Sequence, residues 1–132
     1  MFLQHTNSAK ATEPFHEVPA TAEESYVPGE ALTLANGKAT KFTGQGTPAY
    51  ICQSKLDNAA ETDVVLVSLV NPQQELEVPL EAEGSELKVG NRVGVGTDGL
   101  TVNATTASAG GFLITNILGT AVGDKVRGYF MR

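Results

Sequence analysis

From Tyr26 onward, short runs of alternating apolar and polar residues are separated by turns rich in glycine, asparagine and proline. A period of two sends successive side chains to opposite faces, so the pattern predicts strands rather than helices. Leu32-Thr-Leu34 alternates and stops at Asn36-Gly37. That pair adopts positive φ at little cost, which predicts a tight hairpin returning through Lys38–Phe42. Gly44 and Gly46 break the chain, and Pro48–Gln53 resumes as a strand. Lys55–Thr62 reads as a loop or one helical turn. Asp63-Val-Val-Leu-Val-Ser-Leu-Val70 is the strongest strand signal, being rich in β-branched residues. Asn71-Pro72 turns it into Gln74–Val78, where Leu76 and Val78 share one face and Glu75 and Glu77 the other.

The second half repeats the pattern. Val89–Val95 leads to Asp98-Gly99, another hairpin signal, and Leu100–Val102, Phe112–Ile117 and Gly123–Phe130 follow as strands. Gly29 to Gly37 and Gly90 to Gly99 align loosely, and Gly123-Asp-Lys-Val126 repeats their opening. In each, a glycine plus a polar residue turns the chain and aims the next strand. The predicted fold is all-β, a small barrel or sandwich of about eight or nine short strands joined by hairpins, with little helix.

Residues 1–25 differ from the body, residues 26–132. They are polar, contain Pro14 and Pro19, and show no clear period. They read as an extended N-terminal arm, either loose or laid on a partner. In the second case Phe15 and Val18 are the anchors, and Pro14 and Pro19 hold the segment extended and mark where backbone pairing stops.

Composition narrows the function. The 132-residue chain allows one compact domain. Its net charge of −6 lacks the basic footprint of a nucleic-acid binder. No apolar run approaches the roughly 20 residues that a helix needs to cross a bilayer, and no basic segment followed by an apolar one marks a secretory signal. The expectation is a protein of a reducing compartment with neither nucleic acid nor membrane as partner. The single cysteine, Cys52, excludes an intrachain disulfide.

Candidate chemistry is sparse. Gly94-Val-Gly-Thr-Asp-Gly99 matches a dinucleotide-binding spacing, but that motif requires a helix next. Leu-Thr-Val-Asn-Ala-Thr-Thr follows instead, so the glycines predict a hairpin. His5 and His16 both lie in the arm, where nothing holds a proton-transfer group in place. Cys52 reads as a small buried hydrophobe. Glu75, Glu77, Glu81, Glu83 and Glu86 read as a solvated edge that discourages strand pairing, with a spacing unlike a calcium loop. Asn103-Ala-Thr105 fits a glycosylation sequon, incidental without a secretory signal. The expected inventory is no catalytic residue, no cofactor and no metal. Gly99–Gly123 carries no charge, which suits either burial against another copy or a larger partner, or a solvated loop plus one core strand. Thr106 and Ser108 are its candidate contact residues.

These residues together suggest a family. A polar, proline-containing arm leads into Val27-Pro-Gly-Glu-Ala-Leu-Thr-Leu34, then Asn36-Gly37, Gly44-x-Gly-x-Pro-x-Tyr-Ile51 and a closing Gly123-Asp-Lys-Val-Arg-Gly128. The chain resembles the small head-decoration, or capsid-cement, proteins of tailed bacteriophages. The resemblance implies a β-rich body, commonly a homotrimer, on the outside of an expanded capsid, with the major capsid protein as partner. It implies an arm that engages the capsid surface and a role in stabilising the shell without catalysis. The alternative is a virion-surface fibre base or glycan-binding β-module. A small enzyme or cofactor carrier is a third class; Lys38 follows a hairpin turn but has no neighbouring methionine.

Overall fold

A computed structural model describes residues 1–7 and 15–131. All ten of its regular elements are strands, in two five-stranded sheets. Sheet I contains β1 (Leu3–Asn7), β7 (Gln74–Pro79), β8 (Arg92–Val93), β9 (Phe112–Ile117) and β10 (Lys125–Phe130), in the order β1-β7-β10-β9-β8. Sheet II contains β2 (Phe15–Pro19), β3 (Ala31–Ala35), β4 (Lys38–Lys41), β5 (Tyr50–Cys52) and β6 (Val64–Leu69), in the order β2-β6-β5-β3-β4. Neighbouring strands pair antiparallel throughout. The expectation of an all-β fold, a small barrel or sandwich, is met by two antiparallel sheets.

Local sequence explains the turns. Asn36 and Gly37 have φ of 53° and 76°, the paired positive values of a type I′ hairpin between β3 and β4. Gly29, Gly90 and Gly123, the openings of the loose repeat, have φ of 87°, 94° and 83°. Each stands two residues before a strand, at Ala31, Arg92 and Lys125. The repeat is therefore one local device used three times: a glycine in the left-handed region, a polar residue, then a strand.

Two hydrophobic clusters hold the sheets. Phe2, Leu76, Val78, Phe112, Ile114 and Phe130 belong to the larger, which Ala31 and Ile51 of sheet II also join. Within it, the rings of Phe2, Phe112 and Phe130 lie with centroids 5.1–6.0 Å apart in edge-to-face and tilted contacts. Val18, Leu32, Cys52, Val65 and Val67 form the smaller cluster with Tyr26. Ala31 and Leu32 are chain neighbours, as are Ile51 and Cys52, so sheet II buries both faces at these strands. A parallel bridge from Ala20 to Ala39 brings the two outer strands of sheet II together at one end and rolls the sheet around the smaller cluster.

Tyr26 fills that roll. It is fully buried, its Oη donates to the Ala39 carbonyl at 2.7 Å, and it accepts from the Thr21 N–H at 2.9 Å. Tyr26→Phe leaves both groups without this partner and is expected to lower stability by about 1–3 kcal/mol in a denaturant titration.

The N-terminal segment, read as an arm laid on something, lies where described on the chain's own sheets. β1 pairs with β7, β2 pairs with β6, and Phe2 and Ala20 are buried. The boundary placed at residue 25 falls between β2 and β3. The acidic stretch also needs correcting. β7 is flanked by β1 and β10, so Glu75 and Glu77 stand on the outward face of an interior strand, not on an edge. Glu77 pairs with Arg127 at 3.2 Å, and Glu75 accepts from Thr115 Oγ1 at 2.7 Å. Pairing on both sides shields the β7 backbone, and the glutamates keep its outer face wet.

Candidate functional site

The candidate contact residues fall at separate places. Phe15 opens β2 and is 56% exposed, although it sits opposite the buried Ser68 of β6. Ser68 in turn pairs with Ile51, and Ile51 with Ala31, so one row runs from an exposed phenylalanine into the larger core. Phe15 stands beside a cavity of about 250 Å³ between the sheets, whose lining includes Phe2, Gln4, Ile51, Gln53 and Leu76. No charged side chain lines it. Gln53 Nε2 donates to Ser68 Oγ at 2.9 Å on its wall.

Val18 is not available as an anchor. It points into the smaller core opposite Val65 and is 9% exposed. Strand alternation gives the reason: Phe15 and Val18 are three residues apart and so face opposite sides of β2. Pro19 is exposed and is the last residue of the strand, a position that tolerates a missing N–H. Pro14 lies outside the described residues.

Thr106 and Ser108 are exposed on the connection between Val102 and Gly110. Thr106 lines a second concavity, of about 330 Å³, with Glu81, Glu83 and Asn103. Glu81 closes one side of it, accepting from Asn103 Nδ2 at 2.8 Å and from the Thr97 N–H at 3.3 Å. The uncharged stretch thus divides. Phe112 and Ile114 are core residues of an interior strand, while Thr105, Thr106, Ser108, Leu118 and Val122 are exposed. Phe15 and Thr106 line different concavities, so the structure does not bring the two groups of candidates into one site.

The chemical motifs resolve into structural roles. Gly94–Gly99 forms a hairpin, with Gly99 at φ 72°, the Gly96 N–H bonded to the Thr101 carbonyl and Val95 bridged to Val102. Gly94 stays close-packed because a Cβ there would lie 2.7 Å from the Gly44 carbonyl oxygen. Cys52 is buried, its Sγ donates to the Ser54 carbonyl at 3.0 Å, and burial raises its pKa. The thiol is thereby disfavoured as a nucleophile. His16 is exposed on β2, and His5 falls on β1. Among the described residues, no group of three or more His, Cys, Asp or Glu side chains is placed to hold a metal, and no helix is long and apolar enough to cross a membrane.

The cavity beside Phe15 was missed from sequence. Its lining comes from β1, β2, β5, β6, β7 and the Pro28–Gly29 turn, segments far apart in the chain. No local spacing encodes that convergence. The one usable signal was Phe15, a large apolar residue in a polar segment.

No protein-family model matches the chain. No curated protein matches it either. Among solved structures, it is similar to the N base of the head fiber protein gp8.5 of bacteriophage phi29, with a TM-score of 0.61 and 18% identity. The similarity covers 89% of this chain and 95% of that one. At this identity the likeness is one of fold, and it includes nearly all of both chains: this protein shares the overall fold of that head-fiber base.

Proposed function

We propose that this chain is a structural protein of a phage virion, a base module that attaches to the outer surface of the head. The observation that carries the reading is the fold shared with a phage head-fiber base over 89% of this chain. The major capsid protein is the proposed partner. Phe15, exposed at the end of β2, and Thr106 and Ser108, exposed on their loop, are the proposed contacts. A homotrimer is the proposed assembly, since repeated copies of one chain commonly close with symmetry.

Reinforcement of the shell is the second reading. It rests on the resemblance to capsid-cement proteins over the Val27–Leu34, Gly44–Ile51 and Gly123–Gly128 segments. A module that binds only the assembled shell stabilises it by mass action, and several modest contacts per oligomer multiply that effect.

Both readings are tested on matched heads lacking this chain. Purified protein is expected to co-sediment with them. Phe15→Asp is expected to reduce binding by about tenfold or more, since it replaces a burial worth about 1.5–3 kcal/mol with a charge. Thr106→Glu and Ser108→Glu are expected to weaken it less. Failure to co-sediment contradicts both readings. Binding that raises the temperature of genome release supports reinforcement; binding with superimposable release curves leaves attachment alone.

A further inference from the structure

The segment Gly29–Ala31 joins the two halves of the molecule. The Gly29 N–H donates to the Cys52 carbonyl at 2.8 Å, and the Cys52 N–H donates to the Glu30 carbonyl at 2.8 Å. The Ala31 N–H donates to the Gly99 carbonyl at 2.8 Å. The Asp98–Gly99 turn, which belongs to the hairpin before sheet I's β9, is thereby pinned to the start of β3 in sheet II. Gly99 is positioned so that a Cβ there would lie 3.3 Å from Glu30 Cγ and 2.9 Å from Lys41 Cγ. The turn therefore rests on the stems of these two side chains.

Glu30 is an unusual residue for such a joint. It is 4% exposed, and its Oε1 has no hydrogen-bond partner. Its Oε2 is 3.9 Å from Lys41 Nζ, a distance too long for a hydrogen bond. Lys41 itself is 44% exposed and well hydrated. The other charges nearby are acidic. Glu24 approaches from the segment before Tyr26, with both carboxylate oxygens accepting from Thr40 Oγ1 at 3.0 and 2.9 Å. Asp98 approaches from the turn, its Oδ1 accepting from the Leu100 N–H and Thr101 Oγ1 at 2.9 and 2.8 Å. Tyr26 and Cys52, both buried, and the Met1 amino group, which faces Asp98, are further titratable neighbours. Lys41 is thus the cation paired with Glu30, against two neighbouring carboxylates. An ionised, half-partnered carboxylate in that position is costly, and a protonated one much less so.

We propose that Glu30 is a proton-operated latch: protonated, it lets the Asp98–Gly99 turn seat on β3 and close the joint between the sheets, and ionised, it loosens that joint. Burial, opposed by Lys41 and reinforced by Glu24 and Asp98, raises the Glu30 pKa from 4.5 to about 7. A carboxyl group with a raised folded-state pKa contributes stability that is complete below its unfolded value and lost as pH rises through the folded one. The window for opening is therefore pH 4.5 to about 7. The inference stands on this joint alone and is independent of where the protein attaches.

Amide hydrogen exchange of Ala31, whose N–H crosses the joint, reads the latch. Corrected for intrinsic rate, its protection is expected to fall about tenfold or more between pH 5 and pH 8. Glu30→Gln, a neutral isostere, is expected to hold the low-pH protection across the range. The comparison with the variant is essential because the Met1 amino group, bonded to the Leu100 carbonyl, is lowered to about 6 by burial and titrates nearby with the opposite sign. Lys41→Met removes the cation paired with Glu30 and is expected to extend the loss of protection to higher pH, a second readout should the glutamine variant not fold. Flat protection in the wild type, an equal loss in Glu30→Gln, or a shift to lower pH in Lys41→Met would each overturn the latch.

Discussion

Removing residues 1–20 is expected to unfold the protein, and Phe2→Ala alone to cost about 3–5 kcal/mol. Deletion takes β1 from the end of sheet I and β2 from the end of sheet II. It also takes Phe2 from the larger core and Val18 and Ala20 from the smaller. Phe2 is 2% exposed, and its ring lies 5.2 Å from that of Phe130 and 6.0 Å from that of Phe112. Truncation opens a cavity between two aromatic rings that strands β9 and β10 hold in place. A chain of this length is stable by only about 5–15 kcal/mol, so one such change removes a large share. Circular dichroism through a urea titration measures it. A midpoint unchanged by Phe2→Ala would mean that the first strand is a dispensable appendage.

Gly111→Ala is expected to be nearly as damaging, at about 3 kcal/mol, although it adds a single methyl group. A Cβ at residue 111 would lie 1.9 Å from the Gly46 carbonyl oxygen and 2.4 Å from its carbon. Both obstacles are backbone and cannot rotate aside. The contact occurs where Gly46 bridges Gly110 and where the Met131 N–H donates to the Gly111 carbonyl, so relief requires separating the segments that tie the two sheets. Gly37→Ala is the matching control for left-handed strain without crowding, since nothing lies within 4 Å of its Cβ position and its φ is 76°. Thermal unfolding of the two variants is expected to rank Gly111→Ala well below Gly37→Ala. The reverse order would contradict the close approach.

The elements legible in the sequence are those whose chemistry is local. Asn36-Gly37 announced its hairpin because only small or amide-bearing residues take positive φ cheaply, and Asp63–Val70 announced β6 because its β-branched run suits a strand, with Val65 and Val67 buried on one face. The expected Leu100–Val102 strand shrank to the bridges made by Val102, and Val89–Val95 to the two residues of β8. Glycines at 90, 94 and 96 interrupt regular pairing there. β1 and β2 were illegible for a different reason. An outer strand needs few buried side chains, and in β2 only Val18 is buried. One inward residue makes no period. The separation of Phe15 from Val18 followed from the same alternation and becomes evident only once the strand is recognised. Glu30 gave no signal at all, because its isolation depends on Asp98, Glu24 and Lys41 converging from three separate segments.

The central claim, attachment to the outside of a phage head, is tested most directly by imaging. Virions assembled with and without this chain, reconstructed by cryo-electron microscopy, are expected to differ by density outside the shell into which the two-sheet body fits. That density is expected to meet the capsid on faces that include Phe15 or the Thr106–Ser108 loop. Identical shells in the two preparations, with the protein absent from purified wild-type particles, would contradict the account.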